Sequence, residues 1–408
     1  MESEMSFSCK SFPTAGADDS GGGFVSFVRV RPVLDFELVR GAVVPELSGA
    51  APPPPRPRVR PGQPGWVPSS AAARVSLPLA GYASILDGDN ASVYARTLGP
   101  RMSRVAVGGT TSLFCYGYTG SGKTYTLLGD AGGDGGLCRA AGEDLLTKIS
   151  EANRAEDSVR STPLWLRASV AEVYNESVYD LLDGRSECSL RMDGEGRLVV
   201  RGPTRKIDLP LPGEDAADSG AAAPVPAAEF AVVTNGQAAV RVNSARDLDD
   251  VFFACRRHRA TGISTEHSLS SRSHAVVKYE IVDDALVAAR ERAEEAESIK
   301  PALQVAYVKK PTRVLRHKLI EVEKNVKNAN AEADAMLAKP GALGGRCILV
   351  DLAGADHDNR DVGKSGHTAE QRAESTAINM SLMALRACLR GLYAKSATQR
   401  KLPFRDSK

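Results

Sequence analysis

Residues 112–128 read SLFCYGYTGSGKTYTLL. Ser112 to Tyr116 form a short apolar run of strand character, and Lys123 to Leu128 begin a helical pattern. Between them stand Gly117, Tyr118, Thr119, Gly120, Ser121, Gly122, Lys123 and Thr124, a complete GxxxxGK[ST] loop in the strand-to-helix context that gives the pattern its meaning. The glycines let backbone N–H groups wrap phosphate oxygens at a helix N-terminus. Lys123 brings a mobile positive charge to the outer phosphates, and the Thr124 hydroxyl suits magnesium. The stretch predicts a nucleoside-triphosphate site in an α/β protein.

Such a loop needs a second acid near the metal and a sensor of the third phosphate. RCILVDL at 346–352 is an apolar strand ending in an acid. Asp351 suits the first role, and the N–H of Gly354 the second. SLSSRSH, Ser268 to His274, supplies the hydroxyl and guanidinium donors that could surround a γ-phosphate and an attacking water. Read alone, an acid after a strand is often only a strand end, and a Ser/Arg run only a loop.

The 408 residues carry 42% hydrophobic and 25% charged side chains, the composition of a globular chain. Lys and Arg number 52 against 50 Asp and Glu, so a polyanion partner must be met by a local patch. Such a patch exists at 386–408, where Arg386, Arg390, Lys395, Arg400, Lys401, Arg405 and Lys408 face one acid, Asp406. No aromatic interleaving supports nucleic-acid stacking there. Seven dispersed cysteines without a CxxC pair argue against a disulfide framework or zinc site. No run of 18 apolar residues suggests membrane insertion. The expectation is a soluble protein of a reducing compartment.

Strand and helix patterns alternate along the chain, which suggests a doubly wound sheet. FVSFVRV at 24–30 and LWLRASVAEVY at 164–174 read as strands. Residues 1–23 read as a loose tail. Pro-rich stretches near 41–80 and 205–230 look inserted, as do the Ala/Glu/Lys/Arg-rich residues 285–345, whose helices are expected to break near Pro301 and Pro311. Their bland reading is a solvated charged surface, since the apolar seam is too short for several heptads.

Taken together the motifs resemble the kinesin motor domain. SSRSH at 270–274 is similar to the family's first switch and VDLAG at 350–354 to its second. RVRP at 29–32 resembles its adenine-side strand. EVYNESVYDLL at 172–182, INMSL at 378–382 and PFRDSK at 403–408 follow in the family's order, across nearly the whole chain. The resemblance implies an α/β P-loop NTPase with a central, mainly parallel sheet and helices on both faces. It would be incomplete at the C-terminus, because the family continues beyond RDSK. The implied activity is a microtubule-stimulated ATPase using ATP and Mg2+, in the cytoplasm on the cytoskeleton. Movement or filament-end depolymerisation would be its output.

The resemblance also implies roles. Pro32 and Tyr125 would flank the adenine, with Arg29 and Arg31 nearby, while Gly117 to Thr124 hold the phosphates. Thr124, Ser271 and, through water, Asp351 would place magnesium. Ser270, Ser271, Arg272, Gly354 and Asp356 would form the catalytic switches, Arg272 pairing with an acid of the second. The helix at 374–392 and the basic residues Arg386, Arg390, Lys395, Arg400, Lys401 and Arg405 would meet tubulin. Departures stand at working positions: Asp356 replaces a glutamate, His267 an asparagine, Met380 a lysine and Tyr118 a glutamine. SLMALRACLRGL at 381–392 and RATG at 259–262 resemble the depolymerising, internal-motor subfamily, but Arg386-Ala387-Cys388 departs from its charged triplet. A filament-binding adaptor without hydrolysis, and a P-loop NTPase with another target, remain alternatives.

Overall fold

The computed structural model describes residues 27–29, 45–48, 75–78, 84–86, 88–130, 135–155, 162–192, 198–209, 229–260, 272–354 and 369–392. By contacts the chain divides into two units, Met1–Thr97 and Leu98–Lys408. In the first, β1 (Phe27–Arg29) pairs in parallel with β4 (Ser84–Leu86), and β2 (Pro45–Ser48) with β3 (Val75–Pro78). Two strands thus lie within the stretch expected to be irregular. Helix α1 (Asn90–Arg96) starts at Asp89, whose carboxylate accepts the Ser92 N–H at 2.8 Å, the usual N-cap bond. Arg29 donates to Asn90 Oδ1 at 2.5 Å and to Gly88 O at 3.2 Å, so it ties β1 to the start of α1.

The second unit holds a nine-stranded sheet. Its elements, in chain order, are α2 (Met102–Val105), β5 (Thr110–Cys115), α3 (Lys123–Leu128), α4 (Gly136–Arg154), β6 (Trp165–Tyr174), β7 (Ser177–Asp180) and β8 (Ser186–Met192). There follow β9 (Leu198–Leu209), β10 (Glu229–Gly236), β11 (Val240–Val242), α5 (Ala245–Ala260), β12 (His274–Val282), α6 (Asp284–Lys309), α7 (Arg313–Leu337), β13 (Arg346–Asp351) and α8 (Ala369–Leu392). The strand order is β10-β9-β8-β7-β6-β12-β13-β5, with β11 also on β6.

The α/β class holds, but the sheet is mixed, not mainly parallel. Among its described pairs only β13 and β5 run parallel. The reason is connection length: a tight turn can join only antiparallel neighbours. Asn175 and Glu176 close β6 to β7 with φ of 47° and 64°, the left-handed pair of a two-residue hairpin turn. Farther along, Leu209 pairs with Glu229, so the two ends of the stretch near 205–230 lie in the antiparallel strands β9 and β10, and residues 210–228 lie outside the described residues.

Register decides where chemistry can sit. Asp351 lies beside Cys115 across the parallel pair, and Ala275 beside Asp351 across the antiparallel one. His274, at the start of β12, lies beside Val173 near the end of β6. The ends of β5, β13 and β6 and the start of β12 therefore share one edge of the sheet, and in α/β sheets the crevice beyond the carboxyl ends of parallel strands is the usual ligand position. Val282, paired with Trp165, marks the opposite edge.

From that opposite edge rises a helical hairpin. α6 begins at Asp283, which accepts the Leu286 N–H at 2.8 Å, and α7 at Thr312, which accepts the Leu315 N–H at 3.2 Å. Pro301 lies inside α6 and does not end it, contrary to the sequence expectation. Packing offsets the lost backbone bond. Buried Leu303, Ala306 and Leu315, with Ile299, Tyr307, Leu319 and Val322 around them, hold the helices together past the proline. Pro311 does separate the helices.

Candidate active site

The P-loop is built as its sequence predicts. β5 delivers Gly117 to the sheet edge, and Gly122, at φ 86°, precedes Lys123 at the start of α3. Only glycine takes that left-handed conformation without strain, and it turns the chain so that backbone donors line the helix entrance. Lys123 is 9% exposed, and its ammonium donates to the carbonyls of Gly117 at 2.9 Å and Tyr118 at 2.8 Å. Its charge is held against the loop itself. Tyr118 and Tyr125 are each 42% exposed.

Asp351 and Thr124, far apart in sequence, meet here. The Thr124 hydroxyl donates to Asp351 Oδ2 at 2.7 Å, which turns its lone pairs away from the aspartate. Asp351 is 2% exposed, and its Oδ1 has no hydrogen-bond partner among the described residues. Gly354 follows three residues later, against the loop: a Cβ built there would lie 2.1 Å from Thr119 Oγ1 and 3.0 Å from the Thr119 nitrogen. Only a hydrogen fits.

Arg259, which sequence reasoning missed, completes this buried corner. It lies in the last turn of α5, 3% exposed, and donates to the same Asp351 Oδ2 at 2.7 Å and to Ser273 Oγ and O at 3.1 and 2.8 Å. Glu172 of β6, fully buried, approaches Arg259 at 4.0 Å and accepts from Arg185 at 2.8 Å. Charges of alternating sign thus run from Arg185 to Asp351, the arrangement that makes buried ions tolerable. The sequence signal for Arg259 was weak, because RRHR offers three cations and only helix register decides which one turns inward.

Three further polar contacts join this edge to α8. Arg272 pairs with Glu374, both nearly buried, and Tyr174 also hydrogen-bonds Glu374; burial, then the neighbouring carboxylate, raises the Tyr174 phenol. One acid against Arg272 is therefore on α8; Asp356, the partner expected from the second switch-like motif, lies outside the described residues. Glu374 reaches it from a helix, with one methylene more than an aspartate. His274 accepts the Ala353 N–H at Nδ1, 3.0 Å, which leaves Nε2 to donate to Ser381 Oγ at 2.8 Å. The Ser381 hydroxyl then donates to Ile378 O at 2.7 Å. Burial, reinforced by the Arg259 charge, lowers the imidazole to about 4, so it is neutral and its two nitrogens keep these roles. Leu352 and Leu382, with Phe114, Val350, Ile378 and Leu385, pack α8 onto β13 and β5.

On the outer face of α8, Met380, Met383 and Arg386 are exposed at successive turns. Arg390 lies on the same helix. Arg31, Pro32, His267, Ser270, Ser271, Asp356, Lys395, Arg400, Lys401 and Arg405 lie outside the described residues.

Comparison with known proteins agrees with this geometry. A profile described as the kinesin motor domain matches residues 85–299 and 316–408. "Diatom spindle kinesin-1" of Cylindrotheca fusiformis is 25% identical over 323 residues, 79% of this chain and 34% of that protein. "Kinesin-like protein KIF22-A" of Xenopus laevis is 25% identical over 325 residues, 79% of this chain and 36% of that protein. The chain thus spans about a third of the length of these relatives. Among solved structures, one titled "Structure of a fast kinesin: Implications for ATPase mechanism and interactions with microtubules" matches 94% of this chain and 79% of its own, with a TM-score of 0.50 and 20% identity, a likeness of fold. With its P-loop, its acid-tipped β13 and a profile match over most of its length, this chain belongs to the kinesin motor-domain family.

Proposed function

We propose that this chain binds and hydrolyses ATP at Gly117–Thr124 and couples hydrolysis to microtubule binding through α8. The observation that carries the reading is the 2.7 Å contact of Thr124 with Asp351, which joins two motifs 227 residues apart. The oxygens fit a hard divalent cation. Asp351 Oδ1 is a buried acceptor without a protein donor, and the Thr124 lone pairs are free to face a metal. Thr124 would hold magnesium directly and Asp351 through water, with Ser271 as the remaining ligand expected from the family likeness. Bound there, the ion neutralises charge developing on the phosphates.

The chain's own residues carry the other tasks. The backbone N–H groups of the P-loop and the Lys123 ammonium orient the phosphates, and Tyr125 offers a stacking face to the base. Gly354 stands close enough to the loop for its N–H to reach a third phosphate, so its contact differs before and after cleavage. Arg259 holds the Asp351 carboxylate in place through the 2.7 Å contact to Oδ2. A change at Gly354 passes through Ala353 to His274 and Ser381, and one at Arg272 passes to Glu374; both end on α8. Met380, Met383 and Arg386 then form part of the face that meets tubulin.

The test is steady-state ATPase with and without microtubules, together with cosedimentation in a non-hydrolysable ATP analogue. Stimulated turnover and nucleotide-dependent pelleting are expected. A second reading, a filament-binding adaptor without turnover, is favoured by the commitment of Arg272 to Glu374. Bound nucleotide with no stimulation would select it, and absence of pelleting would point to another target.

A further inference from the structure

The α6–α7 hairpin has a charge distribution that its packing does not explain. Near the sheet, residues 283–297 are acid-rich, and Arg201 of β9 pairs with Glu294 and Glu297 there. From Ser298 to Ile320 there is no acid at all. Lys300 is paired with Glu323, and Lys309, Lys310, Arg313, Arg316 and Lys318 lie within ten residues around the turn. All but Lys318 of these five are exposed.

The tip also exposes apolar side chains beyond those that close the hairpin. Leu303, Ala306 and Leu315 are turned inward and buried. Val308 is 81% exposed, Val305 55%, Ile320 54% and Val314 49%. A surface made only to repel or to dissolve would not carry four branched aliphatics among its cations. The tip belongs to this chain and not to the common pattern, since the kinesin profile leaves residues 300–315 unmatched. The base of the hairpin follows Val282 at the sheet edge opposite the P-loop.

We propose that the hairpin tip docks on an anionic lipid bilayer surface, as a peripheral contact that does not span it. Clustered Lys and Arg are attracted to acidic headgroups, and neighbouring aliphatics enter the headgroup boundary, which is the combination present here. The exposed side chains come from the end of α6 and the start of α7, on either side of Pro311. A nucleic acid would use the charge but not the valines. The inference is independent of nucleotide hydrolysis.

Sedimentation of the full 408-residue chain with vesicles tests it, using phosphatidylcholine alone and phosphatidylcholine mixed with phosphatidylserine. Binding is expected only with the acidic lipid, weakening as salt rises. Replacing Lys309, Lys310 and Arg313 together by Ser should weaken it on the order of a hundredfold. Val305→Ser with Val308→Ser should weaken it about tenfold, because the apolar contact is lost while the charge remains. These exposed positions should leave the melting midpoint and the ATPase rate unchanged. Vesicle binding unaffected by the cation variant would overturn the proposal and assign any lipid affinity to the basic residues beyond 386. Valine variants that bind as tightly as the parent would overturn it too. So would stronger retention on a DNA duplex or on polyglutamate than on vesicles, since the tip would then be a polyelectrolyte site.

Discussion

The two edges of the central sheet use polar groups in opposite ways. At the P-loop edge, Glu172, Arg259, Asp351 and Lys123 are buried, and each contact is made between specific atoms. Along the hairpin the charge is mostly on the surface, and an apolar cluster with the exposed pairs Arg292–Glu332 and Lys300–Glu323 holds the two helices. Buried ions fix geometry because an unpaired partner is heavily penalised, whereas surface ions tolerate change. The first edge is built for one arrangement, and the second leaves its outer surface free to vary.

Substitutions sharpen that contrast. Lys123→Ala removes the cation that the P-loop holds, and turnover should fall on the order of 10³-fold in a steady-state ATPase assay, with nucleotide affinity lost in parallel. An active variant would remove the P-loop from the mechanism. Arg259→Met leaves Asp351 as a buried charge without its cation, while Glu172 keeps Arg185, and urea unfolding should show a loss of about 3–5 kcal/mol. A change below about 1 kcal/mol would mean that water reaches this corner.

Acid should act on both edges, in sequence. His274 is held at about 4 by burial, below its ordinary 6.5, so between those values the unfolded chain binds the extra proton. Stability is therefore full above pH 6.5 and declines as pH falls toward 4, by on the order of 2 kcal/mol. Glu280, near the hairpin, follows lower down. Burial alone would raise it, but Lys278, Arg290 and Arg346 bring it to about 2. Its contribution is present above about pH 4.5 and fades toward 2. Melting curves of His274→Asn should lose the upper part of this pH dependence, and an unchanged profile would reject the assignment.

Smaller effects remain. A double-mutant cycle on Arg272→Ala and Glu374→Ala should give a coupling of about 1–3 kcal/mol in stability, and either single variant should lower microtubule stimulation more than basal turnover. Independent, additive effects would show that the pair does not link the P-loop edge to α8. Smallest of all, Val308→Ser should shift unfolding by no more than about 0.5 kcal/mol, because that side chain packs on nothing that folding requires.

The sequence made the P-loop and the acid-tipped strand legible because their chemistry lies in contiguous residues. Gly117 to Thr124 and Val350 to Gly354 needed only spacing and strand context. Strand direction was less visible: the mainly parallel expectation came from alternating elements, while the short YNES turn already forced β6 and β7 to be antiparallel. Arg259 and Glu374 stayed hidden because each reaches its partner through helix register, which a string of letters does not display. Pro301 misled for a related reason, since the packing that overrides it comes from α7, across the hairpin turn.

The anchor of the hairpin has a mechanical consequence. Arg201 grips α6 at Glu294 and Glu297, and twelve residues of helix continue beyond to Lys309. That free arm is roughly 18 Å long, at about 1.5 Å per residue. A tilt of about 10° around the anchor would carry the tip by roughly 3 Å, a displacement that a pair of spin labels would resolve.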